Sequence, residues 1–236
     1  MSDQYLLLRL CKTICLVWTL GVSMNAYATS TFTWKEEVLL HDGKKIIVER
    51  SDTYDSSMNH EIGQGAPLAE HKTTFMIPGT NQTVIWKSDN RPSPDPDSLH
   101  LLALDFLDGV PYVATTPNRS FVYKKWGQPN PPYVFFKYVD KWKRVSLEEF
   151  PEQFAINIVV TSLKNELYKK KVTAENTKYG FVRAQIVAEI NREPGRSKEY
   201  YSILRTPIDY GPPRPEHKGP KAPHPITPPA TTDGKQ

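Results

Sequence analysis

The chain has 236 residues, a formal charge of +4 and 39% hydrophobic residues, enough for one domain of ordinary size plus a tail. A charge so near balance, whose densest basic run is Lys169-Lys170-Lys171, supplies no concentrated basic face and argues against a nucleic-acid partner. Both cysteines, Cys11 and Cys15, lie near the N-terminus. The rest of the chain therefore has no disulfide, thiolate nucleophile or cysteine metal ligand.

The first 28 residues have the pattern of an export signal. Arg9 and Lys12 precede an apolar run, Thr13 to Met24, and Ala26-Tyr27-Ala28 supplies a small-x-small site for cleavage after Ala28. The run is shorter than the ~20 apolar residues a membrane-spanning helix needs, so cleavage and release to the periplasm or beyond is the expectation. A membrane contact would follow only from a retained segment. Cleavage removes Asp3, Arg9 and Lys12 and lowers the formal charge from +4 to +3.

Residues 29–204 read as a single β-rich domain. Phe32, Trp34, Val38 and Leu40 alternate on one face, interrupted by Glu36. Asp42-Gly43 supplies the chemistry of a primed hairpin turn, and the β-branched run Lys44 to Arg50 returns. Ser51 to Lys72 is mostly polar and reads as a long loop, a feature that is often functional. Thr73 to Ile77 and Thr83 to Lys87 form a second hairpin around Pro78-Gly79, followed by an extended linker from Ser88 to Ser98 with three alternating prolines. Leu99 to Leu107 is almost continuously apolar, as a central strand buried on both faces would be. Asp108-Gly109 turns it into Val110 to Thr116. Ser120 to Trp126 reads as a further strand, and Tyr133 to Val139 with Trp142 to Val145 as another hairpin.

The pattern changes near residue 146. Ser146 and Glu149 have capping-box spacing, and Ser162 to Lys171 and Lys178 to Arg192 read as helices. The helical part spans about 146–195, and a short strand is expected from Tyr200 to Leu204. Residues 205–236 hold nine prolines and few apolar residues. They predict a disordered or polyproline-like tail that adds nothing to the fold and serves as a spacer or a docking peptide. The predicted fold class is α+β, mainly β: an antiparallel sheet or sandwich of hairpins with helices near the C-terminal end of the domain.

No Gly-x-Ser-x-Gly elbow, phosphate loop, dinucleotide fingerprint or His-Glu-x-x-His motif occurs, and no cofactor is expected. His60-Glu61 starts like the last of these, but Ile62-Gly63-Gln64 breaks the helix that a second histidine would need. His60, Glu61 and His71 remain as candidate loop ligands for a metal. His41 precedes a turn, while His100 and Asp105 share a strand, and spacing does not pair them. The carboxylates Asp108 and Glu149 are explained by a turn and a cap. Trp126, Tyr133 and Trp142 stand beside loops, where their rings could stack on a sugar or on a partner's proline segment.

Trp34-Lys35-Glu36-Glu37-Val38-Leu39-Leu40-His41-Asp42-Gly43, Pro131-Pro132-Tyr133-Val134-Phe135-Phe136-Lys137-Tyr138 and Trp142-x-Arg144-x-x-Leu147-Glu148-Glu149-Phe150-Pro151 resemble exported proteins of Gram-negative bacteria with no assigned activity. The resemblance covers roughly Thr31 to Phe154 and implies a periplasmic placement without supplying a site. The leading expectation is an exported, non-catalytic binding or envelope-assembly module with a protein or carbohydrate partner. The alternatives are a periplasmic hydrolase with acid/base or metal groups that spacing does not place, and an accessory subunit held by a retained N-terminal segment.

Overall fold

A computed structural model describes residues 29–58, 67–91, 98–118, 120–160 and 166–211. The export segment with Ala26 and Ala28, the candidate ligands His60 and Glu61, and residues 212–236 lie outside them. The protein is mainly β, with two antiparallel four-stranded sheets in simple up-and-down order. The first sheet contains β1 (Thr29–Leu39), β2 (Lys45–Asp55), β3 (Leu68–Met76) and β4 (Thr83–Asp89). The second contains β5 (Leu99–Leu107), β6 (Val110–Pro117), β7 (Val134–Tyr138) and β8 (Trp142–Val145). A short helix α1 (Ser120–Lys125) joins β6 to β7, and helices α2 (Glu166–Tyr179) and α3 (Ala184–Asn191) follow the strands.

Alternation on each strand sends one set of side chains inward. Val38, Val48, Phe75 and Val84 from the first sheet share one core with Leu101, Phe106, Val113 and Phe136 from the second. The outer face of the second sheet is also buried: Leu102, Ala114 and Phe135 pack under Phe150 and Phe154, with Ile203 and Leu204 beside them. Leu99 to Leu107 is therefore apolar on both faces as expected, yet β5 is an edge strand, not a central one. Asn157 covers its open backbone, accepting from Leu104 N at 3.0 Å and donating to Leu104 O at 2.8 Å. The open edge of β1 is covered likewise, since Glu37 N and Val182 O are 2.8 Å apart, as are Val182 N and Lys35 O.

Several sequence expectations give way. The loop expected over Ser51 to Lys72 shrinks, because β2 runs to Asp55 and β3 begins at Leu68. These strand ends are polar because Arg50, Asp52 and His71 are buried charge and hydrogen-bonding partners, so apolar alternation does not mark them. Ser120 to Trp126 is a helix and turn. Only Val122 is buried on α1, and Gly127 (φ 87°) and Gln128 (φ 52°) end it in left-handed backbone. The first late helix runs on to Tyr179, since nothing breaks it before Gly180, whose N–H bonds Asn176 O at 2.9 Å. Tyr200 ends a single 3-10 turn, Lys198–Tyr200, and residues 201–204 are irregular instead of a strand.

The tail begins later than expected. Arg205 donates to the carbonyls of Leu147, Phe150 and Pro151 at 3.1, 2.8 and 2.7 Å. Ile208 exchanges two hydrogen bonds with the Asn130 side chain, at 2.7 and 2.9 Å. Residues 205–211 are thus part of the domain: a guanidinium with several planar donors finds a set of free carbonyls that composition alone does not reveal.

Candidate functional site

Trp86 on β4 points inward with Val84 and is only 5% exposed. Trp142 opens β8, and Trp126 follows directly after α1, where its backbone N–H bonds Val122 O at 3.0 Å. Around Phe136 of β7 these rings meet at steep angles. Trp86 and Trp142 lie 5.1 Å apart at 87°, Trp126 and Phe136 5.7 Å apart at 87°, and Trp86 and Phe136 5.0 Å apart at 52°. Edge-to-face contacts of this kind hold the rings in fixed orientations. With Lys87, Ser88 and Leu99 they line a pocket of about 230 Å³, below the usual range for organic ligands and of a size for a small group or fragment.

The polar equipment of this pocket is unusual. Trp142 Nε1 donates to Ile85 O at 2.8 Å. The indole N–H groups of Trp86 and Trp126 are buried and have no acceptor among the described residues. A buried donor without a partner costs ~1–3 kcal/mol, which an acceptor on an incoming group would recover once the rings shift to admit it, since solvent reaches neither nitrogen. The Arg144 guanidinium lies 5.4 Å and Lys125 Nζ 5.5 Å from the Trp126 ring centre. Lys87, which lines the pocket, is ion-paired with Glu70 at 2.6 Å.

Two Asp–His pairs form as well. Asp105, 2% exposed, accepts from His41 N at 2.8 Å and Phe106 N at 2.7 Å, and its Oδ1 meets His41 Nδ1 at 2.8 Å. His41 stands between two clefts of about 230 and 310 Å³. Their linings contain no serine, threonine or cysteine among the described residues. The pair ties the β1–β2 turn to β5 and supplies no nucleophile. The second pair is enclosed: His71 Nδ1 meets Asp52 Oδ1 at 2.7 Å, and the His100 ring lies 4.9 Å from that of His71. Desolvation first, and the neighbouring His71 second, push the His100 imidazole down to about 4, so it is neutral at ordinary pH.

Of the three aromatic residues singled out in the sequence, Trp126 and Trp142 come together and Tyr133 does not. Tyr133 is buried on the opposite face of the second sheet, where its hydroxyl lies 3.1 Å from Glu199 O and 3.0 Å from Ser202 O. Of the candidate metal ligands, His71 is placed against Asp52, and no group of three or more metal-binding side chains gathers among the described residues. Sequence reasoning missed Trp86, although its inward place in the alternation of β4 was a usable signal. It also missed the pairing of His41 with Asp105, residues 64 positions apart in the chain. No family model matches the chain, and neither does any curated protein or solved structure.

Proposed function

We propose that this chain is an exported, non-catalytic binding module of the cell envelope and that the tryptophan pocket receives its ligand. The observation that carries the reading is the pair of buried, unpartnered indole donors, Trp86 Nε1 and Trp126 Nε1, at a pocket walled by fixed aromatic rings. Such a pocket suits a ligand that combines a small apolar face with a hydrogen-bond acceptor. The basic start, apolar run and Ala26-Tyr27-Ala28 site support export.

Intrinsic tryptophan fluorescence of the full chain, titrated with envelope oligosaccharides and with proline-rich peptides, tests this reading. One of these probes should give a saturable change, and Trp86→Phe, which keeps a ring but removes the N–H, should weaken that probe about tenfold. A flat response to every probe, or equal affinity in Trp86→Phe, overturns it.

The hydrolase reading is favoured by one observation, the Asp105-oriented imidazole of His41 between two clefts. With no hydroxyl or thiol lining those clefts, such a site could act only as a general base on water. Any hydrolytic activity of the purified protein that disappears in His41→Ala would replace the binding reading.

A further inference from the structure

The cleft between His41 and α3 leaves one charge unmatched. It lies where the β1–β2 turn, the open edge of β5 and α3 meet, and its volume is about 230 Å³. Ala184, Ala188 and Arg192 line it at four-residue spacing, so they stand on one face of α3 and its C-cap. The two alanines leave the hollow, and Leu40, Ile156 and Val187 make the rest of its surface mainly apolar. Asn157 holds one wall, donating to Leu39 O and Leu104 O and accepting from Leu104 N. The cleft is open: Leu39 and Arg192 are exposed, and His41 keeps 23% of its side chain in contact with solvent.

Arg192 and Asp105 are the charged residues of the lining. Asp105 is only 2% exposed and already meets His41 N, His41 Nδ1 and Phe106 N. The acids nearby in the chain are matched elsewhere. Glu37, which accepts from Ala184 N at 3.1 Å, pairs with Lys45 at 3.0 Å. Glu189 pairs with Lys171 at 3.2 Å, and Glu193 accepts from the Tyr168 hydroxyl. The Arg192 backbone N–H bonds Ala188 O at 3.1 Å, but its guanidinium has no partner among the described residues.

We propose that this cleft binds a small aliphatic carboxylate, its oxygens on Arg192 and its hydrocarbon against Ala184, Val187 and Ala188. This second site stands or falls apart from the tryptophan pocket, with which it shares no lining residue. A carboxylate matches the guanidinium fork with two parallel hydrogen bonds. A cation would be repelled by Arg192, and a neutral ligand would leave the guanidinium unused. An inorganic anion would gain nothing from the apolar surface, and oxygens set beside Leu40 and Ile156 would lose hydration without a donor to replace it. The volume limits the hydrocarbon to a few carbons. Two sources share this chemistry: a free short-chain acid, and a peptide chain end whose last side chain is aliphatic.

In a two-dimensional proton–nitrogen spectrum of the full chain, the Asn157 side-chain amide and the Ala188 backbone N–H report on the cleft, and the tryptophan indoles serve as the control. Butyrate should shift the first two saturably and leave the indoles still, while butyramide and butylamine should have no effect. Arg192→Gln, at an exposed position whose side chain has no partner to lose, should weaken butyrate about tenfold. Ala188→Leu, which fills the hollow and keeps the charge, should abolish the response. Equal shifts with butyramide, or equal affinity for butyrate in Arg192→Gln, overturn the carboxylate site. The same shifts with chloride or sulfate would reduce Arg192 to a surface charge and overturn it too, as would signals that no probe moves. Gly-Gly-Leu with a free or an amidated C-terminus separates the sources. A free tripeptide that binds more tightly than butyrate, and loses binding on amidation, assigns the cleft to a chain end; one that binds more weakly assigns it to a free acid.

Discussion

Glu36 interrupts the apolar face of β1, and its side chain is fully buried. It accepts from Arg50 Nη1 at 3.1 Å, Trp34 Nε1 at 2.9 Å and Val159 N at 3.3 Å, while Arg50 also donates to Val159 O at 2.7 Å and lies 5.0 Å from the Trp34 ring centre. Taking one partner away strands a charge in the core, so Arg50→Ala should cost about 3–5 kcal/mol in denaturant unfolding. The double variant Glu36→Gln with Arg50→Met should regain much of that loss, because no charge is then left unpaired. His100 gives the pH dependence. Its folded value near 4 lies below the ordinary 6.5, so between these values the unfolded chain binds more protons. Its contribution is therefore fully present above about pH 6.5 and is lost as the pH falls toward 4. Because His100 is only partly buried, the loss should be on the order of 2 kcal/mol. Unfolding free energies of wild type and His100→Gln should converge as the pH is lowered through this window; parallel curves would refute the assignment. Neither feature was legible in the sequence, where a buried ion pair looks like a break in alternation and a buried histidine like any other.

Turns were the most legible elements, with one distinction that spacing does not supply. Asp108 (φ 51°) and Gly109 (φ 77°) both take left-handed backbone, the signature of the primed two-residue turn that was expected. At Asp42-Gly43 only Gly43 does so (φ 81°), and Leu40 N bonds Lys44 O at 2.8 Å across a three-residue loop, the common type I turn with a left-handed third residue. Nothing lies within 4 Å of a Cβ built at Gly43 or Gly109, so the cost of a side chain there is conformational. Gly109→Val should destabilise by about 1 kcal/mol or more, and Gly109→Asn by much less, because asparagine tolerates this backbone. Equal losses in thermal unfolding would mean that the turn relaxes to another type. Helices were less legible. Propensity favoured a strand for Ser-Phe-Val-Tyr at residues 120–123, but with one buried residue on α1 the choice is made by the crossing from β6 to β7 and the left-handed stop at Gly127 and Gln128. The tryptophan pocket was half legible: Trp126 and Trp142 stand out beside loops, whereas Trp86 joins them only because the two sheets face each other.

At the scale of the molecule, the C-terminal chain closes the outer face of the second sheet, and a stability argument that stops at Leu204 omits its fastening. Leu204 N donates to the Tyr133 hydroxyl at 3.3 Å, whose ionisation burial pushes up to about 12, so the phenol stays protonated at ordinary pH. One residue later Arg205 spreads its guanidinium over the Leu147, Phe150 and Pro151 carbonyls, with its centre 5.6 Å from the Phe150 ring. These carbonyls belong to the segment that leads to Phe154, itself part of the cover over Phe135. Hydrogen bonds to a charged group contribute ~1.5–3 kcal/mol each, but Arg205 is only half-buried and the three share one cation. Arg205→Ala should therefore cost about 2–3 kcal/mol in all, a Tm lower by roughly 5–10 °C for a domain of this size. Arg205→Lys keeps the charge but not the planar fork that serves three acceptors at once, so it should recover only part of the loss. Full recovery by lysine would show that charge alone matters there, and an unchanged Tm in Arg205→Ala would return residues 205–211 to a passive tail.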